Sequence, residues 1–133
     1  MIDTIWRFEN GSWYFYKNGF KQTGWLLDNS KWYYLNPNGD MRVGWFQDYN
    51  GFWYLLGANG TMLTGWQFVK GKWYYMDTSG KMLTGWLFSG GKWYYLNSDG
   101  DMATGEVTVG GKRYYLQSNG AMAITDKNGA FQS

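Results

Sequence analysis

One phrase recurs through the chain and constrains its fold more than any other feature. Written W-x-x-x-x-x-x-G-x-M-x-x-G-W, it fits WYYLNPNGDMRVGW at 32–45, WYLLGANGTMLTGW at 53–66 and WYYMDTSGKMLTGW at 73–86. WYFYKNGFKQTGW at 13–25 is one residue shorter and has Lys21 where Met is expected. WYYLNSDGDMATGE at 93–106 ends in Glu106, and RYYLQSNGAMAIT at 113–125 begins with Arg113. Six copies at a period of about 20 residues, degenerate at the ends, are what a stacked array requires, because its last unit has no neighbour on one side. The repeats run approximately over 6–24, 25–44, 45–65, 66–85, 86–105 and 106–125, with a tail at 126–133, all within a single module of 133 residues.

All ten Trp fall into five pairs: Trp6/Trp13, Trp25/Trp32, Trp45/Trp53, Trp66/Trp73 and Trp86/Trp93. A chain that needed only hydrophobic bulk would spread it over Leu, Ile and Val. WYYL and MLTGW are short runs of β formers, separated by turn residues such as Asn-Pro-Asn-Gly and Asp-Thr-Ser-Gly. Each copy is therefore expected to be a β-hairpin followed by a short link. A single 20-residue hairpin cannot bury its own aromatics, whereas stacked hairpins can. The expected fold is all-β, an elongated solenoid of β-hairpins.

Strand alternation puts the Trp and the second Tyr of KWYYL on one face and the first Tyr on the other. Aromatics in repeat strands are usually core. That reading is assigned to Tyr33, Tyr54, Tyr74, Tyr94 and Tyr114, and to the Leu or Met that follows the tyrosines. It accounts less well for the Trp pairs, which with a nearby Met form a shallow aromatic wall. Such a wall suits a quaternary ammonium, held by π-faces each worth about 0.5–2 kcal/mol, or a sugar face. A sugar also needs polar partners beside the ring, and no column of carboxylates or amides accompanies the indoles. The pattern leans toward a cation.

Other classes are disfavoured by composition. There is no Cys and no His, hence no disulfide framework, no Cys/His zinc site and no His-based triad. Net charge is +2 without a basic run, which argues against nucleic acid. Asp40, Asp77, Asp99 and Asp101 lie in or beside turns, where Asp is favoured by its own backbone chemistry. No enzyme and no cofactor is expected, and any catalysis would lie in a module outside this chain. No apolar run is long enough to span a bilayer, and the start, MIDTIWRFENG, has no signal-peptide pattern.

The phrase GKWYYLNSDGDMATG, with GW at the repeat junction, resembles the choline-binding repeats of pneumococcal surface proteins and of the lytic enzymes of pneumococci and their phages. The resemblance covers roughly Trp6 to Thr125. It implies a left-handed superhelix of about six hairpins with choline between consecutive hairpins. The implied ligand is phosphocholine on teichoic and lipoteichoic acids, and the implied location is extracellular, with non-covalent attachment to the cell wall. It also implies a site made of the GW Trp and the WYY Trp of one repeat, with the last Tyr of WYY and the Met from the next. Carried over, these are Trp45, Trp53, Tyr75 and Met82; Trp66, Trp73, Tyr95 and Met102; Trp86, Trp93, Tyr115 and Met122; and Trp6, Trp13, Tyr34 and Met41. Ile5 replaces the usual Gly before Trp6. The site of Trp25 and Trp32 meets Leu55 where Tyr is expected, with Met62 present, and is expected to be weak. No site is expected at Glu106 and Arg113.

The alternative is a carbohydrate-binding repeat, because clostridial toxin and glucan-binding repeats share the YYF and spaced-Gly pattern without this regular Trp pairing. A host-surface contact, if added, would fall on Phe46, Phe68, Phe88 or the links. The resemblance also implies a homodimer formed through terminal repeats when choline binds, against which stands the degenerate last copy.

Overall fold

A computed structural model describes residues 3–125 and 131–132. The described residues form an all-β chain of six hairpins in series. The first pairs β1 (Thr4–Glu9) with β2 (Ser12–Lys17), and β3 (Phe20–Lys21) adds to β2. The next five are β4 (Gly24–Asp28) with β5 (Lys31–Leu35), β6 (Gly44–Gln47) with β7 (Trp53–Leu56), β8 (Gly65–Val69) with β9 (Lys72–Met76), β10 (Gly85–Ser89) with β11 (Lys92–Leu96), and β12 (Gly105–Val109) with β13 (Lys112–Leu116). A short pairing of β14 (Ile124–Thr125) with β15 (Phe131–Gln132) follows. Residues 126–130 and 133 of the expected tail lie outside the described residues.

The hairpins are phased differently from the expectation. Each pairs the GW strand with the WYY strand that follows it, across a tight turn at Asn10–Gly11, Asn29–Ser30, Lys70–Gly71, Gly90–Gly91 or Gly110–Gly111. Both residues of the Gly90–Gly91 turn have positive φ, 58° and 81°. That geometry matches the right-handed twist of the flanking strands and is why glycine dominates there. The Asn-Pro-Asn-Gly and Asp-Thr-Ser-Gly segments, read from sequence as the hairpin turns, are instead the links between hairpins. A single β-bridge marks each of the later links, such as Leu35 with Met41 and Met76 with Met82, whereas the first link is closed by the two pairs of β2 with β3. The third hairpin has a longer loop, in which Asp48 Oδ1 accepts from the backbone N–H groups of Asn50 and Phe52.

The residue that ends each WYY strand forms the core. Leu35, Leu56, Met76, Leu96 and Leu116 are all fully buried, each contributing about 1.5–3 kcal/mol by leaving water. The chain groups into two compact units, Met1–Thr64 with Thr78–Lys81, and Gly65–Asp77 with Met82–Ser133.

In both units the turn glycine of a link packs on the methionine of the preceding link. At Gly80, φ is +88°, and an added Cβ would collide with the sulfur of Met62. Gly85 has a similar φ, +83°, but open space where a Cβ would go. Gly80→Ala is therefore expected to cost about 1–3 kcal/mol. Gly85→Ala should cost only the backbone part of that, and urea unfolding of the two variants measures the difference.

Candidate functional site

Within a hairpin the two indoles of a pair lie on one face. The rings of Trp25 and Trp32 are 6.3 Å apart and nearly perpendicular at 85°. Trp45/Trp53, Trp66/Trp73 and Trp86/Trp93 repeat this at 6.3–6.4 Å and 85–89°. The cause is register: Trp25 stands opposite Tyr34, and Trp32 opposite Leu27, so all four share a face. The GW indole is braced from behind by the second tyrosine of its own hairpin. Trp25–Tyr34, Trp66–Tyr75 and Trp86–Tyr95 are edge-on at 5.3, 5.2 and 5.0 Å.

The next hairpin supplies the third wall. Trp6 meets Tyr33 at 5.0 Å, Trp25 meets Tyr54 at 4.9 Å, Trp66 meets Tyr94 at 5.0 Å and Trp86 meets Tyr114 at 4.9 Å. The third ring is thus the first tyrosine of the WYY phrase, not the second that the resemblance implied. Tyr34, Tyr75 and Tyr95 face their own hairpin's Trp instead, and Tyr115 stands opposite Glu106. Alternation enforces this: once the second tyrosine pairs with its own Trp, the first must point toward the preceding hairpin. The assignment of Tyr33, Tyr94 and Tyr114 purely to the core is corrected in the same way. Tyr54 does both, being buried while its ring meets Trp25.

The expected methionines are at hand. The N–H of Met41 donates to the carbonyl of Trp13, Met62 to Trp32, Met102 to Trp73 and Met122 to Trp93, at 2.7–2.8 Å. These bonds hold each Met backbone beside the outer Trp, and the side chains of Met62 and Met122 line cavities with Trp32 and Trp93. Trp45 and Trp53 pair within the first unit, while the residues expected to join them, Tyr75 and Met82, belong to the second.

Two cavities follow from this arrangement. One, of about 290 Å³, is lined by Trp86, Trp93, Tyr114 and Met122. The other, of about 350 Å³, is lined by Trp25, Trp32, Tyr54, Met62, Thr78 and Ser79. The pair expected to be weakened by Leu55 therefore has its third ring after all, from Tyr54. Both volumes fall near the lower end of the roughly 300–1,000 Å³ typical of small-molecule clefts. The walls are π-faces and sulfur, joined in the second cavity by Thr78 and Ser79, and no carboxylate or ammonium is among the described lining residues. Polar support comes from behind: the Tyr54 hydroxyl donates to Asp48 Oδ2 at 3.1 Å, and the Trp6 indole N–H donates to Asp28 Oδ2 at 3.0 Å. The outer indoles Trp32, Trp53, Trp73 and Trp93 remain 38–44% exposed, so the cages open to solvent.

In the sixth hairpin, Glu106 and Arg113 stand where the Trp pair would be. They form an exposed ion pair at 3.9 Å, which contributes little in water. Outside the cages, the Tyr16 hydroxyl donates to Glu9 at 2.6 Å, and that bond raises the phenol above its ordinary pKa.

Comparison with known proteins supplies the family. Residues 43–85, 63–103 and 83–126 match the choline-binding repeat, and residues 23–41 match the cell wall binding repeat. The chain belongs to the choline-binding repeat family. It is similar to CbpJ from Streptococcus pneumoniae TIGR4, at 42% identity and a TM-score of 0.85, over 96% of this chain and 47% of that one. It is similar to choline binding protein F from Streptococcus pneumoniae, at 38% identity and a TM-score of 0.85, over 98% of this chain and 52% of that one. The endolysin of phage Cp-1, solved complexed with choline, matches at 33% identity and a TM-score of 0.65, over 96% of this chain and 39% of the other. Among curated protein sequences none matches. The chain spans about half the length, or less, of these solved relatives. The shared element is thus the cell-wall-binding repeat module, built of hairpins with aromatic clusters between them.

Proposed function

We propose that the chain binds choline and phosphocholine through its aromatic cages and so holds its protein on a choline-decorated bacterial surface. The observation that carries this reading is the repeated enclosure of a small cavity by two perpendicular indoles, a phenol ring and a thioether. A quaternary ammonium has no N–H to donate, so recognition falls to π-faces, with a polarizable sulfur beside them. The cages offer these groups and little else. The clearest set is Trp25, Trp32, Tyr54 and Met62, and Trp86, Trp93, Tyr114 and Met122, with Trp66, Trp73, Tyr94 and Met102 built on the same plan; Trp6, Trp13, Tyr33 and Met41 share the Trp6–Tyr33 contact and the Met41–Trp13 bond, while Trp13 packs on Phe8. The role is binding, not catalysis. The polymeric target is teichoic or lipoteichoic acid, which displays many phosphocholines along one chain, and attachment is non-covalent.

Intrinsic fluorescence tests this directly, since all ten indoles belong to the pairs. Choline and tetramethylammonium are expected to give a saturable change, and glucose oligomers none. A response to glucan alone would make the chain a sugar-binding repeat.

A further inference from the structure

The two cavities differ in one respect. Among the described residues, the cage of Trp86, Trp93, Tyr114 and Met122 is lined by aromatic rings and a thioether. The cage of Trp25, Trp32, Tyr54 and Met62 is lined in addition by Thr78 and Ser79, both exposed, from the link that follows β9. That link is anchored on the cage itself. Gly80, the next residue, packs so closely on Met62 that a Cβ there would strike the sulfur. The same thioether therefore lines the cavity and seats the turn that carries the two hydroxyls. The cage draws on three successive repeats: indoles from one, Tyr54 and Met62 from the next, and the Thr78–Ser79 turn from the one after.

We propose that Thr78 and Ser79 form a polar lip that hydrogen-bonds the phosphate oxygens of a phosphorylated choline seated in this cage. The inference rests on the choline reading above. The ring faces recognise the cationic end of such a ligand, and the Tyr54 hydroxyl already donates to Asp48, so hydroxyls at the rim are added donors for its anionic end. In phosphocholine the phosphate is joined to the ammonium through a two-carbon bridge, so its oxygens emerge at the mouth of a cage that holds the methylated nitrogen. Hydroxyl groups donate to anionic oxygens, and a charged acceptor strengthens the bond. The corresponding turns differ in composition. Ala58–Asn59 precedes Gly60, which packs on Met41, and Ser118–Asn119 precedes Gly120, which packs on Met102. The lip thus gives successive cages different preferences without altering their aromatic walls.

The test uses the whole chain labelled with nitrogen-15. The indole N–H resonances of Trp25, Trp32, Trp86 and Trp93 are followed during titration with choline and, separately, phosphocholine. The ratio of phosphocholine to choline affinity is expected to be about two- to five-fold higher at Trp25–Trp32 than at Trp86–Trp93. Thr78→Val with Ser79→Ala should bring the two ratios together, and choline affinity at Trp86–Trp93, whose cavity these two residues do not line, should be unchanged. An unchanged Trp86–Trp93 response shows that the variant is folded, and Thr78→Val alone should remove part of the difference. Equal ratios in the unaltered chain, or a difference that survives both substitutions, would overturn the lip. Failure of choline to bind at either pair would overturn the choline reading, and the lip with it.

Discussion

Tyr114→Ala is expected to weaken choline binding at the Trp86–Trp93 pair about tenfold or more, whereas Tyr115→Ala should change it by less than about twofold. The reason is which way each ring faces. Tyr114 lies 4.9 Å from Trp86 and lines the cavity. Tyr115 lies on the opposite face of β13, across the ladder from Glu106. Removing one π-face forfeits about 0.5–2 kcal/mol of cation attraction and admits water to the remaining walls, and about 1.4 kcal/mol is tenfold in affinity. Titration of the Trp86 and Trp93 indole N–H signals in each variant separates the two. Equal losses would mean that the second tyrosine also reaches the ligand.

The second large effect is on attachment to a polymer. Replacing Trp32, Trp73 and Trp93 together by Ala is expected to cut retention on a choline-bearing polymer by about a hundredfold or more. These outer indoles are 41–44% exposed, so their loss disturbs packing less than loss of the inner ones. Each cage alone holds a small cation weakly. Linked cages convert later contacts with one polymer into intramolecular events, which multiplies avidity by about 10²–10⁴ without new contacts. Single Ala variants should lose much less, and excess free choline should release the unaltered chain. Retention that falls only in proportion to the number of lost cages would show that they act independently.

Much of this architecture is written in the sequence, at the level of repeat and residue type. The Trp pairs, the buried Leu or Met after the tyrosines, and the methionines beside the outer indoles all follow from the recurring phrase. Two features were not legible in the same way. The hairpin turns were read at the Asn-Pro-Asn-Gly segments, because Pro, Asn and Gly announce turns strongly. Gly90–Gly91 and Lys70–Gly71 are shorter signals, yet their paired positive φ gives the tighter return, and a five-residue register forms around them. The third ring was displaced by one residue, because adjacent tyrosines are chemically identical and only the cross-strand partner decides their faces. Trp25 opposite Tyr34 fixes that choice, and register across a turn appears only once the turn is placed. The same displacement made Leu55 look like a missing wall, although Tyr54 supplies it. Thr78 and Ser79 were read as ordinary turn residues; only the packing of Gly80 on Met62 brings them to a cage two repeats back.

The most direct test of the central claim compares choline with 3,3-dimethylbutanol, its neutral isostere, in site-resolved indole titrations of the intact chain. The two ligands share shape and differ in charge. If the cages recognise a cation by π-faces, choline saturates the Trp25–Trp32 and Trp86–Trp93 signals at concentrations about tenfold or more below the alcohol. Equal binding of the two would contradict the account and reduce the cages to apolar pockets that select by shape.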